Sequence, residues 1–254
     1  MIDIHCHILP GLDDGARNLS DSLEMARKAV EEGIDTIIAT PHYINNRYHN
    51  PKQTILAKVE EVNEALRAEN IALKIVAGQE PRIDGDLLTG IDKGEIITLA
   101  GTSYIFIEFP SSHVPRYTEQ LFYDLQMNGL VPVIVHPERN QEIIQRPDRL
   151  YQLVEKGALT QLTASSVCGD LGKKIKTFSS QLIEYNLTHF IASDAHNVTT
   201  RSFKLREAYQ VIAATFGTDS ELMLKENAEL LVAGQNVYKE IPEPIKKKRF
   251  FTIF

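Results

Sequence analysis

Cysteine is scarce in this sequence, and long apolar runs are absent. Only Cys6 and Cys168 occur among 254 residues, which excludes a disulfide scaffold and a cysteine-rich zinc module. No uninterrupted apolar stretch of ~18 residues occurs, and the first residues do not combine a basic segment with a following apolar one. We therefore expect a cytoplasmic protein with no integral membrane segment.

Positive charge is also in deficit. The 27 lysines and arginines are outnumbered by 34 aspartates and glutamates, which gives a formal charge of -7 with histidine neutral. Such a surface repels the phosphates of nucleic acids, so we expect no nucleic-acid partner. An anionic ligand would need a local positive site.

The chain alternates short β-branched runs with longer segments of helical spacing. The runs predict seven strands, at Ile2–Cys6, Ile34–Ala39, Leu73–Ala77, Tyr104–Phe109, Val131–Val135, Leu159–Ala164 and Phe190–Ser193. This order predicts parallel strands joined by helices, and therefore an α/β fold. The glycine motifs of nucleotide-binding open sheets are absent, and seven or eight such units in about 250 residues favour a closed barrel.

No linker rich in glycine, serine or proline divides the chain, so residues 1–254 are predicted to form one domain. From about residue 244 the sequence is basic and then apolar, with the run Lys246-Lys247-Lys248-Arg249 followed by two phenylalanines. We interpret this tail as a chain end or an oligomer contact rather than a membrane contact.

Residues of metal-ligand type stand at the ends of six of the seven predicted strands. They are His5 and His7, His42, Glu80, Glu108, His136, and Asp194 with His196. From His5 onward the successive positions are 37, 38, 28, 28 and 58 residues apart, and the last interval spans two strand–helix units. The carboxyl ends of parallel barrel strands meet at one mouth, so these side chains are predicted to converge there. Core packing alone does not predict ligand-type residues at equivalent positions of six units. His49, His113 and His189 lie outside this pattern and are interpreted as structural.

His5 and His7 are two residues apart on a strand, so both imidazoles point to one face. Asp194 and His196 repeat this spacing, and Asp13 or Asp14 in the loop after the first strand offers a further carboxylate. Nitrogen and oxygen ligands without thiolate suit Mn, Fe or Zn better than Ca, Mg or Cu(I). The pattern therefore predicts a site for Mn, Fe or Zn.

The motifs, in order along the chain, are His5–Gly11 with Asp13-Asp14-Gly15, Pro41-His42, Glu80, Glu108, His136–Arg139 and Ser193–Asn197. This set resembles the polymerase and histidinol phosphatase (PHP) superfamily, and more narrowly its CpsB/CapC branch of bacterial manganese-dependent protein-tyrosine phosphatases. The resemblance covers essentially the whole chain. It implies a distorted seven-stranded barrel, similar to a TIM barrel, that holds three divalent ions. Mn²⁺ is the expected ion, with Fe or Zn as alternatives.

The same resemblance implies how the ligands are shared. His5, His7, Glu80 and Asp194 would hold one ion. Glu80 would bridge to a second ion held by Glu108 and His136, and Asp14, His42 and His196 would hold the third. Arg139 and Arg201 match family positions that hold the substrate phosphate. Three divalent ions against four carboxylates give a local charge of about +2, so a phosphate dianion fits inside an acidic protein.

From this resemblance we expect a protein-tyrosine phosphatase, a phosphoric monoester hydrolase in which a metal-activated hydroxide attacks phosphorus. The expected catalytic residues are His42, Asp194, His196, Arg139 and Arg201, with His42 or His196 as the general acid. The expected substrates are tyrosine-phosphorylated proteins, foremost a bacterial tyrosine kinase of polysaccharide synthesis or export. The sequence does not determine the oligomeric state, and a homo-oligomer is one of the alternatives.

Five other classes of protein are alternatives to this hypothesis. A cysteine-nucleophile phosphatase needs an arginine six residues after its cysteine, but Leu12 and Lys174 stand there. A urease-type amidohydrolase begins with the same His-x-His but uses a modified lysine where this chain has Glu108. The acidic charge disfavours an exonuclease. A small-molecule phosphatase of the histidinol-phosphate type and a non-catalytic module that binds a tyrosine kinase stay open.

Overall fold

The structure, a computed structural model, describes residues 1–43 and 47–245. Within these ranges the strands are β1 Ile2–Cys6, β2 Thr36–Ala39, β3 His42–Tyr43, β4 Lys74–Ala77, β5 Glu80–Pro81, β6 Tyr104–Ile107, β7 Val131–Val135, β8 Leu159–Thr163 and β9 Phe190–Ala192. Each of the predicted strands overlaps one of these, and β3 and β5 are additional.

The strand pairs are parallel, and they form three sheets with the orders β1-β2-β4, β3-β5 and β6-β7-β8-β9. The chain is thus a single α/β domain with parallel sheets. The predicted seven-stranded barrel is not confirmed as one continuous sheet, because the strands are divided among sheets of three, two and four strands. Pro41 contributes to this division, because it follows β2 and has no N–H to donate to a neighbouring strand. Pairing resumes at β3, where His42 lies opposite Glu80.

Hydrogen bonds connect the sheets at their edges. Ile83 N donates to Glu108 O at 2.8 Å and Glu108 N donates to Pro81 O at 2.9 Å, which joins β5 to the segment after β6. Asp194 N donates to His5 O at 2.9 Å, which joins the segment after β9 to β1. The carboxyl ends of strands from different sheets therefore lie side by side.

The α-helices of the described residues lie between or after the strands. They are α1 Leu19–Glu31, α2 Lys52–Ala68, α3 Leu87–Asp92, α4 Thr118–Met127, α5 Gln141–Gln145, α6 Asp148–Glu155, α7 Ala164–Cys168, α8 Lys173–Glu184, α9 Leu205–Phe216 and α10 Thr218–Val232. Asn18 caps α1 by accepting a hydrogen bond from Asp21 N, which satisfies a backbone donor of the first turn.

The sheets are buried on both faces. Neighbouring strand residues such as Phe106 and Ile107 belong to two different apolar clusters, because successive side chains of a strand point to opposite faces. Both side chains are fully buried. Burial on both sides explains the continuous apolar runs of the sequence, and it makes the strand ends the places where polar side chains gather.

In the part of the chain that the structure describes, no helix is both long enough and apolar enough to cross a membrane. The tail predicted from about residue 244 lies, from Lys246 onward, outside the described residues. Ile245, just before it, is buried and packs in the larger apolar cluster.

Candidate metal centre

Four buried side chains from three strand ends meet at one point. His5 lies in β1 and His7 just after it, Glu80 begins β5, and Asp194 follows β9. His5 Nε2 is 3.3 Å from Glu80 Oε2 and 3.5 Å from Asp194 Oδ1. The corresponding distances from His7 Nε2 are 3.4 and 3.3 Å, and the two Nε2 atoms are 3.3 Å apart. We call these four residues the buried quartet.

The spacing within the buried quartet fits a metal ion. Metal–ligand distances of about 2.0–2.2 Å in tetrahedral geometry place neighbouring nitrogen and oxygen ligands about 3.3–3.6 Å apart. The five spacings that involve His5 or His7 Nε2 lie between 3.3 and 3.5 Å. In addition, Glu80 Oε2, His42 Nδ1 and His196 Nε2 are buried without a hydrogen-bond partner. Unpartnered buried polar atoms are costly, and cations would satisfy all three.

A second group of ligand atoms contacts both oxygens of Glu80. His136 Nε2 lies 2.8 Å from Glu80 Oε1. His42 Nδ1 lies 2.9 Å from Glu80 Oε2, although not in hydrogen-bonding geometry, and 3.9 Å from Glu108 Oε2. Glu80 thus turns one oxygen toward the buried quartet and the other toward His136, as a carboxylate shared by two ions would.

A third group forms around Asp14. Its Oδ1 lies 3.4 Å from His196 Nε2 and 3.5 Å from His42 Nε2. Asp13 instead places Oδ2 2.6 Å from His7 Nδ1 and accepts a hydrogen bond from His42 N at 3.0 Å. Of the two neighbouring aspartates, the geometry therefore favours Asp14 as a ligand and Asp13 as a group that orients a ligand.

Gly15 lets the loop after β1 fold back against that strand. A β-carbon at Gly15 would stand 2.0 Å from His7 O and 2.5 Å from His7 Cβ. Ala16 N donates to the same His7 carbonyl at 3.0 Å. Only glycine allows this close approach, which holds both aspartates over the histidines.

Two further imidazoles, like that of His7, have a hydrogen-bond acceptor at Nδ1. His5 Nδ1 lies 2.9 Å from Gln161 Oε1, and His196 Nδ1 lies 2.9 Å from the carbonyl oxygen of Asp194. Acceptors at Nδ1 fix the ring proton there and leave the Nε2 lone pair for a metal. Gln161 belongs to β8, the strand for which the sequence predicted no contribution to the site. The sequence pattern gave no signal for this contact, because Gln161 and His5 are 156 residues apart in the chain.

Backbone distortions coincide with the ligands. His136 and Asp194 adopt φ values of +38° and +52°, in the left-handed region. His136 directly follows β7, and Asp194 is the second residue after β9. Such conformations cost about 1–3 kcal/mol each, so they persist only where the surroundings enforce them. The pairing of β1 with β2 also shifts register between Asp3 and Cys6, the stretch that contains His5. Two of the six non-glycine residues with positive φ among the described residues are thus candidate ligands.

Two buried carboxylates are kept ionised by their neighbours. Burial raises the pKa of Glu80, but His42 and His5 outweigh that effect and hold the pKa well below its ordinary value. At Asp194, Arg139 and His5 overcome burial in the same way and hold the pKa well below its ordinary value. Both side chains therefore offer charged oxygens at neutral pH.

Two other groups have pKa values shifted mainly by burial. Burial, with a contribution from Glu80, raises the pKa of Glu108 to about 7. Burial, with a contribution from Arg139, lowers the pKa of His136 to about 4. His136 is thus neutral near pH 7, which is the form that binds a metal.

A cavity of about 260 Å³ opens beside the cluster, and Arg139 and Arg201 line it. Arg139 Nη2 lies 2.6 Å from Asp194 Oδ2, and Arg201 Nη2 lies 3.5 Å from the same oxygen. Arg201 Nη1 lies 3.2 Å from Asp14 Oδ2. Asp194 therefore gives Oδ1 to the buried quartet and Oδ2 to the arginines. The side chains of Arg139 and Arg201 are 28% and 40% exposed, which leaves donors for an anion in the cavity.

Arg82 is a cavity residue that the sequence interpretation missed. Its Nε and Nη2 each lie 3.1 Å from an oxygen of Glu108, in a bidentate ion pair. Arg82 follows Glu80 by two positions, so the two side chains point to the same side. The Glu-x-Arg spacing at a strand end was the signal that could have found it.

The two cysteines and three further histidines are not part of the candidate metal centre. Burial raises the pKa of the Cys6 thiol well above its ordinary value and that of Cys168 to about 12, so neither supplies a thiolate nucleophile. Among the described residues, His49, His113 and His189 belong to no group of three or more potential metal ligands. His136 and Asp194 belong to no such group either, but pair contacts join His136 to Glu80 and Asp194 to His5 and His7.

Known proteins resemble this chain over most of its length. A family model described as capsular polysaccharide synthesis, CpsB/CapC, matches residues 1–233. The chain is 52% identical to the tyrosine-protein phosphatase YwqE of Bacillus subtilis over 254 residues, all of both proteins. It is 40% identical to CapC of Staphylococcus aureus over 99% of each chain. A crystal structure from the set of YwqE from Bacillus subtilis and CpsB from Streptococcus pneumoniae, described as unique metal-dependent tyrosine phosphatases, matches with a TM-score of 0.96 and 52% identity. The match covers 97% of this chain and 100% of the other.

Proposed function

Because the chain belongs to the CpsB/CapC family of capsular polysaccharide synthesis, we propose that it is a metal-dependent protein-tyrosine phosphatase. The observation that carries this proposal is the buried quartet, in which the Nε2 atoms of His5 and His7 lie 3.3–3.5 Å from each other and from oxygens of Glu80 and Asp194. The quartet lies next to a cavity lined by Arg139 and Arg201. Guanidinium groups beside a metal cluster suit the dianion of a phosphate monoester.

We propose the ligand sets that the family resemblance implies. The grouping of His5, His7 and Glu80 supports the first set, and that of Asp14, His42 and His196 supports the third, whereas the atoms grouped with Glu80 and Glu108 are those of His42. His5, His7, Glu80 and Asp194 would hold one ion; Glu80, Glu108 and His136 a second; and Asp14, His42 and His196 a third. We propose Mn²⁺, with Fe or Zn as alternatives, because these ions accept mixed nitrogen and oxygen ligands. When bound, such ions lower the pKa of bound water from 15.7 toward ~7 and neutralise charge that develops at phosphorus.

The arginines bind the phosphate oxygens in the proposed reaction. Arg139 and Arg201 are held in place through Asp194 Oδ2, and Arg201 also through Asp14 Oδ2. Donors that are fixed before the substrate arrives need no reorganisation as charge builds up on the equatorial oxygens. The negative net charge of the protein is thereby overcome locally.

The leaving phenolate needs little help from an acid, because the pKa of tyrosine is near ~10. Of the two imidazoles considered as proton donors, His42 lines the cavity and is 14% exposed, whereas His196 does not line it and is 1% exposed. We therefore assign the proton for the leaving group to His42 rather than to His196; this role requires that one of the two ring nitrogens of His42 binds no ion. Undiminished metal-dependent activity in a His42→Ala, His196→Ala double variant would refute this assignment.

We further propose that the three sheets form one distorted seven-stranded barrel, in which β2 with β3 and β4 with β5 each count as one strand. The parallel pairing supports this arrangement. The hydrogen bonds between β5 and the end of β6, and between the end of β9 and β1, support it as well. The active cavity then lies at the carboxyl ends of the strands, where barrel enzymes carry their sites.

The proposed substrates are tyrosine-phosphorylated proteins in the cytoplasm. We propose a bacterial tyrosine kinase of polysaccharide synthesis or export as the foremost substrate, on the strength of the family to which the chain belongs. Arg139 and Arg201, together with the ions that the ligand sets would hold, would recognise the phosphate and the phenol oxygen, which every phosphotyrosine protein offers.

Phosphate release from a phosphotyrosine peptide, before and after chelation, tests the proposed function. We expect activity to disappear on chelation and to return on addition of single metals, most fully with Mn²⁺. His5→Gln should be inactive, whereas His189→Gln, a matched change outside both the cluster and the active cavity, should leave activity unchanged. No release with the metal sites filled would favour a non-catalytic binding module. A strong preference for histidinol phosphate would favour a small-molecule phosphatase.

A further inference from the structure

A second groove, of about 650 Å³, lies beside the active cavity. We call it the arginine groove, and its lining includes His113, Arg116, Tyr117, Glu142, Arg146 and Arg149. One wall is the loop between β6 and α4, and the other is formed by α5 and the residues after it. Both walls begin at strand ends that also supply the candidate metal centre.

The two walls are hydrogen-bonded to each other and to the active cavity. Asn140 lines the active cavity, and its Nδ2 donates to Pro110 O at 2.8 Å and to His113 O at 3.1 Å. Val114 N donates to Glu142 Oε2 at 2.9 Å. The arginine groove and the active cavity share no lining residue, but Asn140 connects the two through these hydrogen bonds.

The arginine groove carries positive charge on a protein whose net charge is -7. Arg149 lies between Glu119, at 3.5 Å, and Glu142, at 3.8 Å. Arg146 also lies 3.8 Å from Glu142, but its side chain is 67% exposed. Arg116 is exposed and takes part in none of the ion pairs within residues 1–43 and 47–245. Arg116 and Arg146 thus present donors to solvent at the edge of the active site.

We propose that the arginine groove binds acidic side chains that flank the phosphotyrosine of a protein substrate. This inference rests on the proposed phosphatase function and gives it a sequence preference. Arg139 ends a short 3₁₀ turn and Arg146 follows α5, with the extended residue Asn140 between the two helical segments. The two arginines are only seven residues apart, and an extended peptide advances about 3.3 Å per residue, so acidic residues a few positions from the phosphotyrosine, such as the third and fourth, lie within reach of Arg146. Tyr117, 44% exposed, offers its ring to the peptide backbone between them.

Four substrates test this inference: a small aryl phosphate and three phosphotyrosine peptides. One peptide has neutral flanks, and the other two carry paired glutamates three and four residues before or after the phosphotyrosine. We expect one acidic peptide to exceed the neutral one in kcat/KM by about fivefold, since exposed ion pairs contribute factors of about 1.5–5 each. The preference should fall at high salt, because the arginines are exposed.

Charge reversal locates the preference. The Arg116→Glu, Arg146→Glu double variant should lose it while keeping the wild-type kcat/KM for the small aryl phosphate. Arg67→Glu is the matched control. Arg67 is 64% exposed and lies at the carboxyl-terminal end of α2, next to the start of β4, whereas the active cavity lies at the carboxyl ends of the strands. The single variants Arg116→Gln and Arg146→Gln, which each remove one charge, should lower the preference about twofold and cover the case in which the double variant does not fold.

Two results would overturn the inference: equal kcat/KM for all three peptides in the wild-type protein, or a preference that persists in folded variants. Neither result touches the phosphatase proposal, because turnover of the small aryl phosphate measures that activity separately. Absence of all turnover in the metal-loaded wild-type protein would overturn both.

Discussion

Asp13 Oδ2 lies 2.6 Å from Nδ1 of His7, and the opposite nitrogen of that imidazole faces Glu80 and Asp194. The carboxylate fixes the ring proton on Nδ1 and makes Nε2 a stronger ligand without itself facing the metal cluster. Adjacent aspartates thus have different tasks, with Asp14 toward the ions and Asp13 behind a ligand.

Replacing Asp13 should weaken metal binding without removing a ligand. In Asp13→Asn we expect the affinity for Mn²⁺ to fall by at least about tenfold, because the neutral amide supports the imidazole less well than a carboxylate. The number of ions bound at saturation should stay that of the wild type. Asp14→Asn is the comparison and should lose one ion. Competition with a coloured chelator measures both quantities, and wild-type affinity in Asp13→Asn would contradict the orienting role.

Glu80 should matter for more ions than Glu108. One oxygen of Glu80 faces the buried quartet and the other faces His136, so Glu80→Gln should lose two of the three proposed ions. Glu108→Gln should lose one. Elemental analysis of the purified variants after loading with Mn²⁺ measures the difference. Equal losses in both variants would show that Glu80 is not shared.

Gly15→Ala should destabilise the protein, because the new β-carbon would stand 2.0 Å from a backbone oxygen. Relief requires the loop to move, and we expect a cost of about 2–3 kcal/mol, or a decrease of about 5–10 °C in Tm. Gly85→Ala is the matched control, since nothing lies within 4 Å of a β-carbon there. Thermal denaturation of the metal-free proteins measures both, and equal Tm values would contradict the close packing.

His189 should make the fold less stable in acid. Burial, with a contribution from Lys239, lowers the pKa of His189 to about 3, and the side chain accepts a hydrogen bond from Thr160 N. The unfolded chain takes up a proton near pH ~6.5, so the stability contributed by neutral His189 is complete above that pH and is lost as pH falls toward the folded value. Between pH ~7.5 and pH ~5 we expect a loss of about 2 kcal/mol from this residue.

Urea unfolding of the wild type and of His189→Gln at both pH values isolates this contribution. The variant keeps an acceptor for Thr160 but cannot titrate, so its stability should depend less steeply on pH. Equal pH dependence in the two proteins would mean that His189 does not carry the effect.

The convergence of the ligands could be predicted from the sequence, because their positions follow the period of strand–helix units. His42, Glu80, Glu108 and His136 stand where parallel strands end, and the structure brings them together with His5. The strand positions were predictable for a related reason, since strands buried on both faces form continuous apolar runs.

Other features depend on contacts that no local pattern encodes. Gln161 reaches His5 across 156 residues, and the pairing of Arg82 with Glu108 depends on how two strand ends meet. The division into three sheets also escaped prediction, because it depends on hydrogen bonds around Pro41 rather than on apolar spacing.

The left-handed backbone at His136 and Asp194 determines which substitutions are informative. Alanine at either position removes a ligand and also opposes the local backbone, so alanine scanning would report the sum of two losses. Asparagine tolerates this conformation better than most residues do. Asp194→Asn and His136→Asn therefore change the chemistry of the site while leaving the chain path largely intact, and their effects can be attributed to the side chain alone.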